Sequence, residues 1–262
     1  MAVKLSEIRG ALEEMAPLGA AEEWDNPGLL LGRTEREVAR VYVALDATRE
    51  VAERAIETGA ELLLTHHPVI FRGIKALNDE SGQGEKLLRF LRADLSVYSS
   101  HTNFDSCPGG MGDLVCRRLG LGKLSVLEES HFPQQGFGIG FVAELPEERS
   151  CRELAALVKE RFGLPFVQFY DAGRRIRRIA CCPGSGRGQF AAVLRSHADV
   201  FLSGDMGHHE GLDYLEEGIS LIDAGHYGLE QLFVPYMAGF LRERFPGLEL
   251  FTEETHFPAE LV

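Results

Sequence analysis

Along the first fifteen residues the apolar positions Leu5, Ile8, Leu12 and Met15 recur every three to four residues, which predicts an amphipathic helix. The pattern then changes period. RVYVALD (40–46) is apolar and partly β-branched and reads as a strand, and Thr48 behind it is a good cap for a following helix. ELLLT (61–65) reads as the next strand and GEKLLRFLRAD (84–94) as a helix. LSVYS (95–99) is again a strand, and GGMGDLVCRRLGL (109–121) is a helix stopped by glycine. Strands and helices alternate, so the fold class expected is α/β, with mostly parallel sheets flanked by helices.

The texture changes near residue 123. QGFGIGFVAEL (135–145) is strand-like and punctuated by glycine, and Ser150 with Glu153 forms a capping box ahead of a helix that runs to Phe162. FVQFY (166–170), IRRIACC (176–182) and DVFLSGD (199–205) read as strands, with GSGRGQFAAVLRSHA (184–198) a turn and a helix. ISLIDAGHYGLEQLFVPYMAGFLRERF (219–245) reads as a strand running into a long helix. Two α/β lobes are expected, the first built from residues 1–122 and 220–262 and the second, inserted, from 123–219. No repeat, linker or low-complexity segment interrupts them.

Composition narrows the class. The 262 residues are 45% hydrophobic and 26% charged, an ordinary globular balance. No apolar run reaches the roughly 18 residues that a membrane span needs, and MAVKLSEIRG carries charge where a signal peptide would be apolar. No membrane partner is expected. Five cysteines without CxxC spacing fit a reducing, cytoplasmic setting. A net charge of −13 argues against a general affinity for nucleic acid. RRIRR (174–178), the one basic run, reads as a solvated strand edge or turn.

Candidate chemistry gathers where strands end, the edge at which parallel sheets carry their functional groups. LLLTHHPVIF (62–71) places His66 and His67 at such an end, SSHTNFD (99–105) places His101 and Asp105 at a second, and DAGHYGLE (223–230) places His226 and Glu230 at a third. His226 and Glu230 stand four residues apart, one helical turn on one face if the helix has begun. Taken singly, the pair of histidines is a turn or polar cluster, HxxxE a surface pair, and Asp105 a cap for the helix after Gly109. Together, three histidines and two carboxylates exceed what one four-coordinate zinc requires. Adjacent His66 and His67 splay, which suits two metals better than one, and a carboxylate can bridge such a pair. Imidazole and carboxylate without thiolate suit Zn, Fe, Mn or Co.

Other stretches have plainer readings beside functional ones. Trp24 reads first as a packed anchor and DNPG (25–28) as a tight turn, with pocket lining as the alternative. His208 and His209 read equally as a helix-start cluster or as site lining. GSGRG (184–188) lies between a strand and a helix, where a phosphate could rest, but it lacks both GxGxxG and GxxxxGK[ST] and reads rather as a glycine turn. Cys181 and Cys182 read as buried strand residues.

EEWDNPGLLLG (22–32), LLLTHHPVIF, YSSHTNFD, FLSGD with the following histidine pair, and DAGHYGLE resemble the successive signatures of the NIF-three-like family, also called type 2 homologues of GTP cyclohydrolase I. The resemblance covers nearly the whole chain, in the compact form without an extra inserted domain. It implies that His66, His67, Asp105, His226 and Glu230 ligate two divalent metal ions per chain, and that the protein is a ring-like homohexamer with these sites facing inward. Leu229 stands where relatives more often carry a small or hydroxyl residue, a departure that touches local packing only. Two functions follow. One is a metal-dependent hydrolase acting on a nucleotide or another small phosphorylated or C–N substrate, with His101 as acid/base. The other is a non-catalytic metal-binding, metal-delivery or regulatory interaction protein.

Overall fold

The computed structural model describes residues 2–259. Its described residues form a mixed α/β structure of two compact units, residues 2–104 with 233–255, and residues 105–232 with 256–259.

The first unit is organised on a five-stranded sheet in the order Glu249–Thr252, Arg40–Ala44, Leu62–Thr65, Ser96–Ser99, Gly28–Leu31. The first four strands are mutually parallel, and only Gly28–Leu31 runs antiparallel to its neighbour. Leu62–Thr65 and Ser96–Ser99 are buried at every position, as expected of central parallel strands covered on both faces. On one face, Tyr42, Ala44, Leu63 and Val97 pack with Val51, Ala52 and Ala55 of the helix Arg49–Glu57 and with Leu87 and Phe90 of the helix Gly82–Arg92. Both helices start at side-chain caps. Thr48 accepts from the Val51 N–H at 3.1 Å, and Ser81 from the Gly84 N–H at 3.0 Å.

The second unit has a six-stranded sheet in the order Gln168–Tyr170, Ser220–Asp223, Val200–Gly204, Ile176–Ser185, Phe141–Arg149, Lys123–Ser125. Its three inner strands from Ser220–Asp223 to Ile176–Ser185 are parallel; the flanking pairs are antiparallel. This sheet is thus mixed rather than mostly parallel: Phe141–Arg149 runs antiparallel to both of its neighbours and is joined to Lys123–Ser125 without a crossover helix. Successive strand residues face opposite ways. Ile179 and Cys181 join the core with Leu154, Val158 and Phe162 of the helix Cys151–Phe162, while Ala180 and Cys182 join the other with Val193 and Tyr214. The capping box forms as expected, with Ser150 N donating to Glu153 Oε2 at 2.7 Å and Glu153 N to Ser150 Oγ at 3.3 Å.

The unit boundaries differ from the expected lobes. The strand Ser220–Asp223 belongs to the second unit because it is hydrogen-bonded between Val200–Gly204 and Gln168–Tyr170. Val115, Cys116 and Leu119 of the helix Met111–Leu119 pack against Phe141 and Ile179 in that unit's core. The segment after Asp223 is also not one long helix. It breaks into His226–Glu230 and Phe233–Arg244, and the chain passes between units at residues 232 and 233. The second helix packs on Arg40–Ala44 and Glu249–Thr252, so of the strand and helix expected to return to the first lobe only the helix belongs to the first unit, together with Glu249–Thr252.

Candidate metal centre

In the first unit, three neighbouring parallel strands end at the same edge, each followed by an aspartate or histidine. Ala44 pairs with Thr65 and Thr65 with Ser99, so Asp46, His66–His67 and His101 follow in adjacent rows. The N–H groups of His66 and His67 both donate to the Leu45 carbonyl, at 3.2 and 3.1 Å, which turns the two residues out of the strand. His66 is fully buried. Its Nδ1 lies 2.7 Å from the Ser100 carbonyl, an acceptor only, so Nδ1 carries the proton and Nε2 presents a lone pair. His67 Nδ1 meets Asp46 Oδ1 at 2.8 Å, and His101 Nδ1 meets Asp25 Oδ1 at 2.8 Å, with the same consequence for each ring. His66, His67 and His101 each offer a nitrogen, and these three atoms lie within 4.8 Å of one another.

Asp25 arrives by a different route. Gly28–Leu31 is the antiparallel member of the sheet, and Gly28 pairs with Ser99, so the residues just before this strand lie at the edge where the others end. The Asp25 side chain is fully buried. Its Oδ2 accepts from the Thr102 N–H at 3.0 Å and the Thr102 hydroxyl at 2.5 Å. Burial alone pushes the Asp25 carboxyl up. The hydrogen bonds from His101, Thr102 and Asn26 outweigh it and hold the group below its ordinary value. Asp25 is therefore an ionised acceptor that fixes the His101 ring. Its neighbour Trp24 is 58% exposed, not a packed anchor, because its ring lies beside Phe71 (5.7 Å between centroids) and His101 (6.1 Å) at the loop edge.

In the second unit the same rule applies to another set of strand ends. His226 opens the short helix His226–Glu230, and the four-residue spacing puts His226 Nε2 at 3.0 Å from Glu230 Oε2, as the HxxxE pattern predicts. Glu230 is 3% exposed. His226 Nδ1 meets Asp205 Oδ2 at 2.9 Å, and Asp205 follows directly on Val200–Gly204, in the left-handed region at φ 57°. With a carboxylate at each nitrogen, the His226 ring needs positive charge between Nε2 and Glu230, supplied by a second ring proton or by a metal ion. Backbone space around this pair is already taken. A Cβ on Gly184, at φ +70°, would lie 2.2 Å from Glu230 Oε1, and one on Gly204 would lie 2.4 Å from the His226 backbone nitrogen.

Asp105 sits in the helix Thr102–Ser106 and does not cap the helix Met111–Leu119, whose N-cap Gly110 has no side-chain cap; Asp113 in its first turn accepts from the Gly109 N–H at 2.5 Å. Burial is the main force raising the Cys182 thiol, and the charges of Asp105 and Glu230 add to it, so both carboxylates act on one buried sulfur. All five cysteines are buried, and their sulfurs form no disulfide. His208 and His209 start the helix His208–Glu216 and are exposed. The GSGRG segment is a turn that packs: Gly186 N donates to Ser203 Oγ at 2.9 Å. Asp46 and Asp205 stand directly after strands, as the histidines do, so the strand-end rule could have found them. Asp25 precedes a strand, and no local signal marks it.

Imidazoles held by carboxylates or carbonyls, beside further carboxylates, are groups that could bind a metal ion. Residues 3–258 match the family described as Duf34/NIF3 (NGG1p interacting factor 3), and the chain belongs to that family. A relative from Clostridium perfringens named GTP cyclohydrolase 1 type 2 homolog is 35% identical over 229 residues, 87% of each chain. One of the same name from Lactococcus lactis is 33% identical over 256 residues, 96% of each chain. The crystal structure of a Bacillus cereus protein related to NIF3 has the same fold, with a TM-score of 0.91 over 100% of this chain and 99% of that one at 23% identity. Among the described residues no helix is long and apolar enough to cross a membrane.

Proposed function

We propose that the protein is a metal-dependent hydrolase in which His66, His67, Asp105, His226 and Glu230 hold two divalent ions. The substrate is a nucleotide or another small molecule opened at a phosphoester or C–N bond. The name borne by the curated relatives points to the same substrate class. The observation that carries the reading is the state of the rings: His66, His67 and His226 each have Nδ1 engaged by a carbonyl or carboxylate, which leaves Nε2 as the ligand atom. Two divalent ions, when bound, supply a nucleophile effective near neutral pH and a positive field on the attacked group. His101 is held by Asp25 in the tautomer whose Nε2 can accept a proton, and it serves as acid/base. The chain assembles with itself into a closed ring.

Elemental analysis of the purified protein, followed by an activity screen with and without added metal, tests the proposal. Close to two ions per chain are expected. Asp105→Ala is expected to lower the metal content, since it would remove one of the carboxylates that would hold the ions; unchanged metal content would take Asp105 out of the ligand set. In the same series His101→Ala should retain metal and lose roughly 10²–10⁴-fold in turnover. Full activity of that variant would refute its role in catalysis, and no wild-type turnover under any metal would replace the hydrolase with a metal-delivery protein.

A further inference from the structure

The second unit contains a cavity of about 260 Å³ that His226 lines at one side and whose remaining lining belongs to no part of the ligand set. Its walls are flat and largely apolar, with Pro165 and Phe166 among them and Tyr227, Phe257 and Pro258 completing them. The Tyr227 and Phe257 rings meet edge to face, with centroids 5.5 Å apart and planes at 72°. The His256 N–H donates to the Tyr227 hydroxyl at 3.0 Å, which ties the segment 256–259 down as a built wall. Asp205 and Asp223 also line the cavity, and no lysine or arginine does so among the described residues. Asp223 accepts from the Met206 N–H at 2.9 Å and from the Gly225 N–H at 2.8 Å, so its carboxylate is held in place. A carboxylate oxygen has more than one acceptor site, and these groups still have capacity for a ligand's N–H donors.

On this wall the two carboxylates are acceptors and favour a ligand's N–H donors, while His226 marks the side on which the proposed ions would lie. The aromatic and proline walls favour a flat ring. The volume lies just below the roughly 300 Å³ at which small-molecule pockets begin, so it takes one ring system and not a whole nucleotide. We propose that this cavity binds an amino-substituted nitrogen heterocycle of nucleobase size, neutral or cationic, with its N–H groups toward Asp205 and Asp223. As the base subsite of the hydrolase it rests on the metal reading, and it narrows that reading's substrate to one carrying such a ring.

The test uses 2-aminopurine riboside, whose fluorescence reports stacking, titrated into the protein as isolated and after metal removal. Purine riboside, which lacks the amino group, is the competitor. Saturable binding is expected in both preparations, with purine riboside weaker by about tenfold or more. Phe166→Ala is expected to weaken binding about tenfold with metal content unchanged. Phe257→Ala, in the terminal segment, provides the same readout should the first variant fail to fold. No binding to either preparation would overturn the proposal, as would equal affinity for purine riboside or indifference to the wall variants. Failure of the metal reading shows separately, as absent ions in the elemental analysis while the riboside still binds.

Discussion

Gly184 shows how a single backbone position bears on the proposed metal site. It lies in the left-handed region at φ +70°, and the space its side chain would fill is taken by the Glu230 carboxylate and, 3.4 Å away, by His226 Nε2. A residue other than glycine costs about 1–2 kcal/mol in that conformation. The clashing atom is the far end of a flexible side chain, so the fold can yield, but only by moving Glu230 away from His226. Gly184→Ala is therefore expected to lower the apparent Tm by a few degrees and to lose metal out of proportion to that change. Melting curves and elemental analysis on the same sample check it, and an unchanged metal content would show that Glu230 is not a ligand.

At the scale of elements, the strand-end loops are held in place by the starts of the strands as well as their ends. Glu61, just before Leu62–Thr65, accepts from the Arg40 N–H at 2.7 Å, from the Ala39 N–H at 3.1 Å and from the Arg40 guanidinium at 2.8 Å, joining the openings of two parallel strands. Partial burial pushes the Glu61 carboxyl up, but these hydrogen bonds and the Arg40 charge outweigh it and hold it below its ordinary value. A carboxyl with a lowered folded-state pKa stabilises the fold above its unfolded value, near 4.3, and that stability is lost as pH falls through the folded value. Glu61→Gln is thus expected to lower the melting midpoint at pH 7 and to show a shallower fall than wild type below about pH 4. Parallel wild-type and mutant acid limbs in melts between pH 3 and 7 would rule this out.

For the molecule as a whole, the net charge of −13 and the two α/β units bear on assembly. The resemblance to the NIF-three-like family makes a closed homo-oligomer the expected state, and closure leaves no growing end from which an acidic chain could form filaments. Light scattering coupled to size exclusion at micromolar concentration is expected to give a single species several times the 29.0 kDa of the chain. A monomer would remove the ring, and with it any shelter for the proposed sites.

Most elements were legible because hydrophobic period and caps are local. Thr48, the Ser150–Glu153 box and Gly120 each act within a few residues, and each does in the structure what its spacing predicts. The four histidines were legible for a related reason: a strand's carboxyl end can be read from its own run of apolar residues, and functional groups collect there. Strand order was not legible. Pairing between Ser220–Asp223 and Gln168–Tyr170 joins residues some fifty positions apart, through backbone groups that are the same in every sequence, and it moved the boundary between the units. Asp25 was hidden for the same reason. Its side chain is an ordinary turn aspartate until the antiparallel register of Gly28 with Ser99 carries it, across 76 residues of chain, to the His101 ring.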